Sequence, residues 1–353
     1  MSYADGMAAI HLEMPARVPR TEYSATTHWD LVRAVTGIDV NSSSEGDVRR
    51  RASLAFEKAW SFDFLWNVCI LSDEFGAYRT DMGHAAYNAD GSDFREGSKG
   101  PFQDEDDVLA FDAMEKLEQK PMGDIIDKFN ANYRNIRNGH PDLVNMTGVY
   151  VTCMSGLIDL FGWDLLLTAA GINAAGFGRV TDQYAKWIGR YFEALAQSEA
   201  EVVMVHDDIV WTSGAFLPPE WYRKYIFPNY KKLLRPLLDS GKKIMYTCDG
   251  DFTQFIDDIV DSGVHGLVME PTTDMAYIAE KYGKTHAFVG NADTRILQYG
   301  TRDEIEAEVK RCMDIGKKCP GFFMAVGNHI PDSTPVENAL WYNECYERMS
   351  KRR

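Results

Sequence analysis

From Ala200 to its end the chain alternates between short apolar runs and longer segments whose apolar residues recur at helical spacing, and this pattern constrains the fold most. Ala200–His206 is an apolar run that ends in charge. Pro218–Leu238 reads as a helix with a face of Trp221, Tyr225, Tyr230, Leu233 and Leu237, and it ends at Gly241. The pattern then predicts a strand over Lys243–Thr247, a helix over Phe252–Ser262, a strand over Gly266–Met269 and a helix over Met275–Tyr282. It continues with a strand over Ala287–Gly290, a helix over Arg302–Cys312, a strand over Gly321–Val326 and a last helix over Pro335–Met349. Strands that alternate with helices form βαβ units, and their crossovers require a parallel sheet.

In the first half, Arg17–Tyr23, Phe62–Cys69 and Val149–Met154 are candidate strands, which brings the total to eight. Eight βα units close a (β/α)8 TIM barrel, whereas fewer suggest an open, doubly wound sheet. Barrels of this class often exceed the usual domain length, so residues 1–353 are expected to form one barrel domain with an N-terminal extension. A long insertion is expected at Asn88–Val108, a stretch rich in Gly, Asp and Ser.

The formal net charge of −16 disfavours a nucleic-acid partner, because an acidic surface repels phosphates. Apolar runs long enough to span a bilayer are missing, and Met1–Asp5 does not resemble a signal peptide. The six cysteines are scattered with no CxxC pair, so a reduced, cytoplasmic setting is expected.

In a barrel the active site forms at the carboxyl ends of the strands. Those ends read His206-Asp207-Asp208, Cys248-Asp249-Gly250-Asp251, Glu270-Pro271, Asn291-Ala292-Asp293 and Asn328-His329. All five are polar and rich in metal-ligating or acid–base side chains. Asp251, Asp293 and Asp332 are equally suited to capping the helices that follow. Cys248 ends a strand, where a thiolate suits zinc, with His206, Glu270 or His329 as further ligands from other strands. A buried, inert cysteine is the plainer alternative. His84, in Arg79-Thr80-Asp81-Met82-Gly83-His84, either faces a substrate or is a solvated loop residue. Tyr78, Tyr87, Phe94 and Phe102 either wall a pocket or pin the long loop to the core. Gly171–Gly176 lacks the Lys-Ser/Thr of a phosphate loop.

At these strand ends the chain resembles the uroporphyrinogen decarboxylase superfamily over about residues 8–349. The resemblance rests on Ala8–Pro19, Asp207-Asp208-Ile209, Leu217–Tyr222, Gly290–Thr294, Asn328–Asp332 and Pro335–Asn338. It implies the barrel. The decarboxylases' Arg-Gln-Ala-Gly-Arg segment is missing from Arg17–Ser24, which argues against a tetrapyrrole substrate. The His-x-Cys zinc motif of the thiol-activating methyltransferases is reduced to Tyr246-Thr247-Cys248. Thr80–His84 and Cys248–Asp251 look closest to the branch that demethylates aryl methyl ethers.

That resemblance implies methyl transfer from a methoxylated arene to the cob(I)alamin of a partner corrinoid protein. The phenolate leaving group needs a Lewis acid or a proton. A zinc ion on Cys248 with one or two of His206, Glu270 and His329 is one expected source, and Asp208 or Asp249 is the other. Asn291 and His84 are expected to contact the substrate. The alternatives are methyl transfer from a methylcobamide to a thiol or folate, a uroporphyrinogen decarboxylase-like lyase, and a non-catalytic partner of a corrinoid protein.

Overall fold

The computed structural model describes residues 2–80 and 100–352. At its centre lie seven strands: β1 Phe64–Leu65, β2 Val144–Val149, β3 Val202–His206, β4 Lys243–Cys248, β5 Gly266–Met269, β6 Ala287–Ala292 and β7 Phe322–Val326. They pair in chain order, and every pair is parallel. The register sets His206 beside Thr247 and Cys248 beside Met269, so the polar strand ends finish at one edge.

The expected strand over Arg17–Tyr23 is a correction: only two isolated bridges form there, Arg17 to Lys351 and Arg20 to Met324. Met324 N donates to Pro19 O at 2.8 Å and Thr21 N to Met324 O at 3.2 Å, while on the other side Asp63 N donates to Arg20 O at 2.9 Å. Residues 19–21 thus link β7 to the residue before β1. Pro19 has no N–H to extend the ladder, and Ser24, at φ +29°, turns the chain away.

Side chains alternate across the strands. Val202, Met204, Met245, Val268, Val289 and Phe323 face inward, where Met7, Ala9 and Ile10 of the helix Tyr3–Ile10 meet them. A Cβ on Gly6 would lie 2.5 Å from Asp63 O, so only glycine lets this helix approach the starts of β1 and β2. The N-terminal extension therefore plugs the end opposite the polar strand ends. The other strand face, with Val203, Val205, Ile244 and Tyr246, packs against helices such as Ala174–Ala196 and Phe227–Asp239.

Three expectations shift. β2 begins five residues before the expected Val149, because Asn145, Thr147 and Gly148 interrupt its apolar pattern. Asn145 Nδ2 donates to His140 O and Leu143 O, and Thr147 Oγ1 to Asn132, so these buried donors have partners. A Cβ on Gly148 would come within 2.1 Å of Met204 O. The expected helix over Pro218–Leu238 is two, Pro219–Tyr225 and Phe227–Asp239. Pro228 removes an N–H and restricts the residue before it, which separates them near Ile226. The expected helix over Phe252–Ser262 is shorter, a turn at Thr253–Phe255 followed by Ile256–Asp261. Among the described residues no single helix is long and apolar enough to cross a membrane.

Candidate active site

β3 places His206 on its inward face, in phase with Val202 and Met204. Its ring stacks on Tyr150, with centroids 3.8 Å apart and planes 9° from parallel. Nδ1 lies 3.0 Å from the Tyr150 carbonyl oxygen and Nε2 lies 3.2 Å from Asp208 Oδ1. A carbonyl only accepts, so Nδ1 carries a proton and Nε2 is the atom turned to the carboxylates. Burial alone would lower the His206 pKa, but the Asp208 charge and hydrogen bond outweigh it and raise it to about 9.

Asp207 and Asp208 have different tasks despite adjacency. Asp207 is fully buried and accepts from Cys153 N at 3.0 Å, Ser155 N at 2.8 Å and the Tyr230 hydroxyl. It ties the start of the helix Met154–Phe161 to β3. Asp208 instead accepts from Asp249 N at 2.9 Å, and its own N–H donates to Ser155 Oγ at 2.7 Å. Burial, with the charges of Asp208 and Glu270, pushes the Asp249 carboxyl up to about 8. Ligand atoms of His206, Asp208 and Asp249 all lie within 4.8 Å of one another.

The other expected ligands do not join this group among the described residues. Cys248 borders the cavity but shares a strand face with Ile244 and Tyr246, which pack in the helix-facing core. Its thiol donates to Asp249 O at 3.2 Å, and burial holds its pKa well above the usual thiol value. Glu270 accepts from Gly250 N at 2.8 Å and from Asn328 Nδ2, which clamps two loops together. His329 stands at the cavity's edge with Nδ1 3.1 Å from Ser24 Oγ.

Asn291 is placed apart from the cavity lining. Its Nδ2 donates to Glu270 O at 3.1 Å and Thr273 O at 3.3 Å, and its Oδ1 accepts from Arg311 at 3.0 Å. With donors and acceptor engaged, it braces the loop after β5. His84, Tyr87 and Phe94 lie outside the described residues. Tyr78 and Phe102 pack with Phe111 and Phe161, so these two pin a loop to the core. Asp293 caps the helix Thr294–Tyr299, and Asp251 accepts from Thr253 N in a local turn.

The strand ends open into a cavity of about 310 Å³. Tyr23, Trp66 and Tyr150 give it aromatic walls, with His206, Thr247 and Asp249 at its polar end. Neither arginine nor lysine is among the described residues that line it. Tyr23, Trp66, Tyr150 and Ser155 were not singled out in the sequence. Placing β2 five residues late put Tyr150 inside a strand instead of at its mouth. Asp159 was missed too: burial raises its carboxyl to about 7 against a Ser72 hydrogen bond.

Comparison with known proteins agrees with this architecture. The family model described as uroporphyrinogen decarboxylase (URO-D) matches residues 110–349. The curated uroporphyrinogen decarboxylase of Geobacter sulfurreducens is 28% identical over 162 residues, 46% of this chain and 46% of the relative. That of Syntrophotalea carbinolica is 27% identical over 175 residues, 50% of this chain and 49% of the relative. The chain thus spans about half the length of the curated relatives it matches. A solved methyltransferase from Methanosarcina mazei superposes with a TM-score of 0.64 at 17% identity, covering 98% of each chain, which shows a shared fold. With most of the chain matched by the family model, this protein belongs to the uroporphyrinogen decarboxylase (URO-D) family.

Proposed function

We propose that the protein is a methyltransferase that takes a methyl group from a small methoxylated arene and passes it to the cob(I)alamin of a partner corrinoid protein. The observation that carries this reading is the cavity's lining. It is aromatic on its walls and acidic at its polar end, and among the described residues it holds neither arginine nor lysine, while the raised-pKa imidazole of His206 is already engaged by Asp208. A porphyrinogen bearing several carboxylates needs cations to hold it, and the lining offers it no arginine or lysine among the described residues. About 310 Å³ is also at the small end of the range for ligand pockets, roughly 300–1,000 Å³. A single substituted ring suits both the volume and the walls.

In the proposed reaction the methyl carbon–oxygen bond breaks with its electron pair left on oxygen. The new methyl–cobalt bond uses the electron pair of cob(I)alamin, and the phenolate takes one proton to leave as a phenol. Tyr23, Trp66 and Tyr150 hold the ring. Tyr150 O keeps the His206 proton on Nδ1, and Asp208 fixes the direction of Nε2. The three clustered donors His206, Asp208 and Asp249 suit a divalent cation better than the set read from the sequence. Three protein ligands with the remaining positions open are the pattern of a catalytic zinc site, and the Nδ1–carbonyl bond is the usual support for such a histidine. Zinc held there would supply Lewis acidity to the ether oxygen.

Anaerobic incubation with guaiacol and cob(I)alamin tests the reading. The expected result is the absorption spectrum of methylcobalamin, formed in step with catechol. Failure across a panel of neutral methoxyarenes, by protein shown to be folded and zinc-loaded, rejects it.

A further inference from the structure

Two hydroxyls in the cavity lining have no hydrogen-bond partner among the described residues, Tyr23 Oη and Thr247 Oγ1. Thr247 is 8% exposed and lies on the inward face of β4, in phase with Met245. Tyr23 packs edge-on against Trp66, with centroids 5.5 Å apart and planes at 88°, which fixes the direction of its hydroxyl. Buried polar groups are nearly always paired, so an unpaired hydroxyl in a binding cavity marks a place where a ligand completes the bond. Neither hydroxyl is used in the reaction described above.

We propose that Tyr23 and Thr247 recognise a second, uncharged oxygen on the methyl donor, next to the methoxyl that is cleaved. Its position follows from the register. Thr247 is paired with His206 across adjacent strands, one strand spacing away, so its hydroxyl lies beside the group that faces the ether oxygen. An oxygen on the neighbouring ring carbon reaches it, and one across the ring does not. The charge state follows from the lining: among the described residues it offers a carboxylate no arginine or lysine, and the imidazole of His206 is already taken by Asp208. The preferred class is therefore an ortho-hydroxy or ortho-methoxy methyl ether. Tyr23 and Thr247 are specificity residues for it. This inference rests on the methyl-transfer reading for the identity of the donor, but its test needs no corrinoid.

The test is equilibrium binding to the full chain, by calorimetry and tryptophan fluorescence, with guaiacol, anisole and 2-methoxybenzoate. Guaiacol is expected to bind about tenfold tighter than anisole, the scale of one or two hydrogen bonds to a ligand, with 2-methoxybenzoate weakest. Tyr23→Phe and Thr247→Val are each expected to weaken guaiacol roughly three- to tenfold and to change anisole less than about twofold. Both free variants should melt no lower than the parent, because each loses an unpaired buried hydroxyl. Equal binding of guaiacol and anisole, equal losses for both ligands in the variants, tighter binding of the benzoate, or no arene binding at all would each overturn the inference. Selective guaiacol binding without methyl transfer would sink the methyltransferase reading and support the hydroxyl pair.

Discussion

His206 lies flat on Tyr150, 3.8 Å between centroids, and the same residue's carbonyl oxygen accepts from His206 Nδ1 at 3.0 Å. One residue therefore sets both the plane of the imidazole and its tautomer, and each task uses a different part of it. A side-chain substitution should separate them. Tyr150→Leu keeps the backbone acceptor but loses the stacked ring, worth about 0.5–1.5 kcal/mol, a rate loss of roughly two- to tenfold. Tyr150→Phe should restore most of it. Steady-state kinetics with guaiacol checks both variants.

Metal binding should follow the geometry. His206→Ala and Asp249→Asn are each expected to weaken zinc binding by at least roughly tenfold, since even the outer partners of metal ligands are worth that much. Cys248→Ala should leave the zinc content unchanged. Calorimetric titration with zinc, with metal analysis after dialysis, separates the two sets. Loss of zinc in Cys248→Ala would return the cysteine to the ligand set.

The buried pair Arg20–Glu22 should dominate the stability of the link between β7 and β1. Arg20 donates to Glu22 at 2.8 Å and is enclosed by Trp60 and Tyr346, while Glu22 also accepts from Val326 N at 3.0 Å. Arg20→Leu leaves a buried carboxylate without its cation, which costs about 3–5 kcal/mol. Urea unfolding should show the loss as a lower midpoint with the slope little changed.

Stability at acid pH should depend on Glu74. Burial raises its pKa, but hydrogen bonds from Lys120, Lys128 and Tyr191 outweigh that and hold the carboxyl below its ordinary value. A depressed folded pKa stabilises the native state above the unfolded pKa, and this contribution is lost as pH falls through the folded pKa. Glu74→Gln should lower the melting temperature at neutral pH and reduce its fall on acidification. Thermal melts across that acid range check the difference.

Much of the fold is legible because β5 to β7 and the helices between them are apolar runs bounded by glycine or polar residues. Gly266–Met269 and Met275–Tyr282 form as the pattern indicates. β2 escapes the pattern because its polar residues are buried, with Asn145 bonded to His140 and Leu143 and Thr147 to Asn132, so they interrupt the apolar run without marking a surface. In the site, the rule that chemistry gathers at strand ends led to His206, Asp208 and Asp249. It failed to rank Cys248 and Asn291, because a residue's position at a strand end does not say which face it occupies or who has already taken its hydrogen bonds. Tyr23 and Trp66 carry no local signal at all. They reach the cavity through the arrangement of residues 19–21 between β7 and β1.

The most direct measurement compares two products from the same protein preparation: methylcobalamin from guaiacol and cob(I)alamin, and CO₂ from uroporphyrinogen. Methylcobalamin without CO₂, abolished in Asp249→Asn and retained in Cys248→Ala, is the result expected here. CO₂ from uroporphyrinogen with no methylcobalamin would contradict the account.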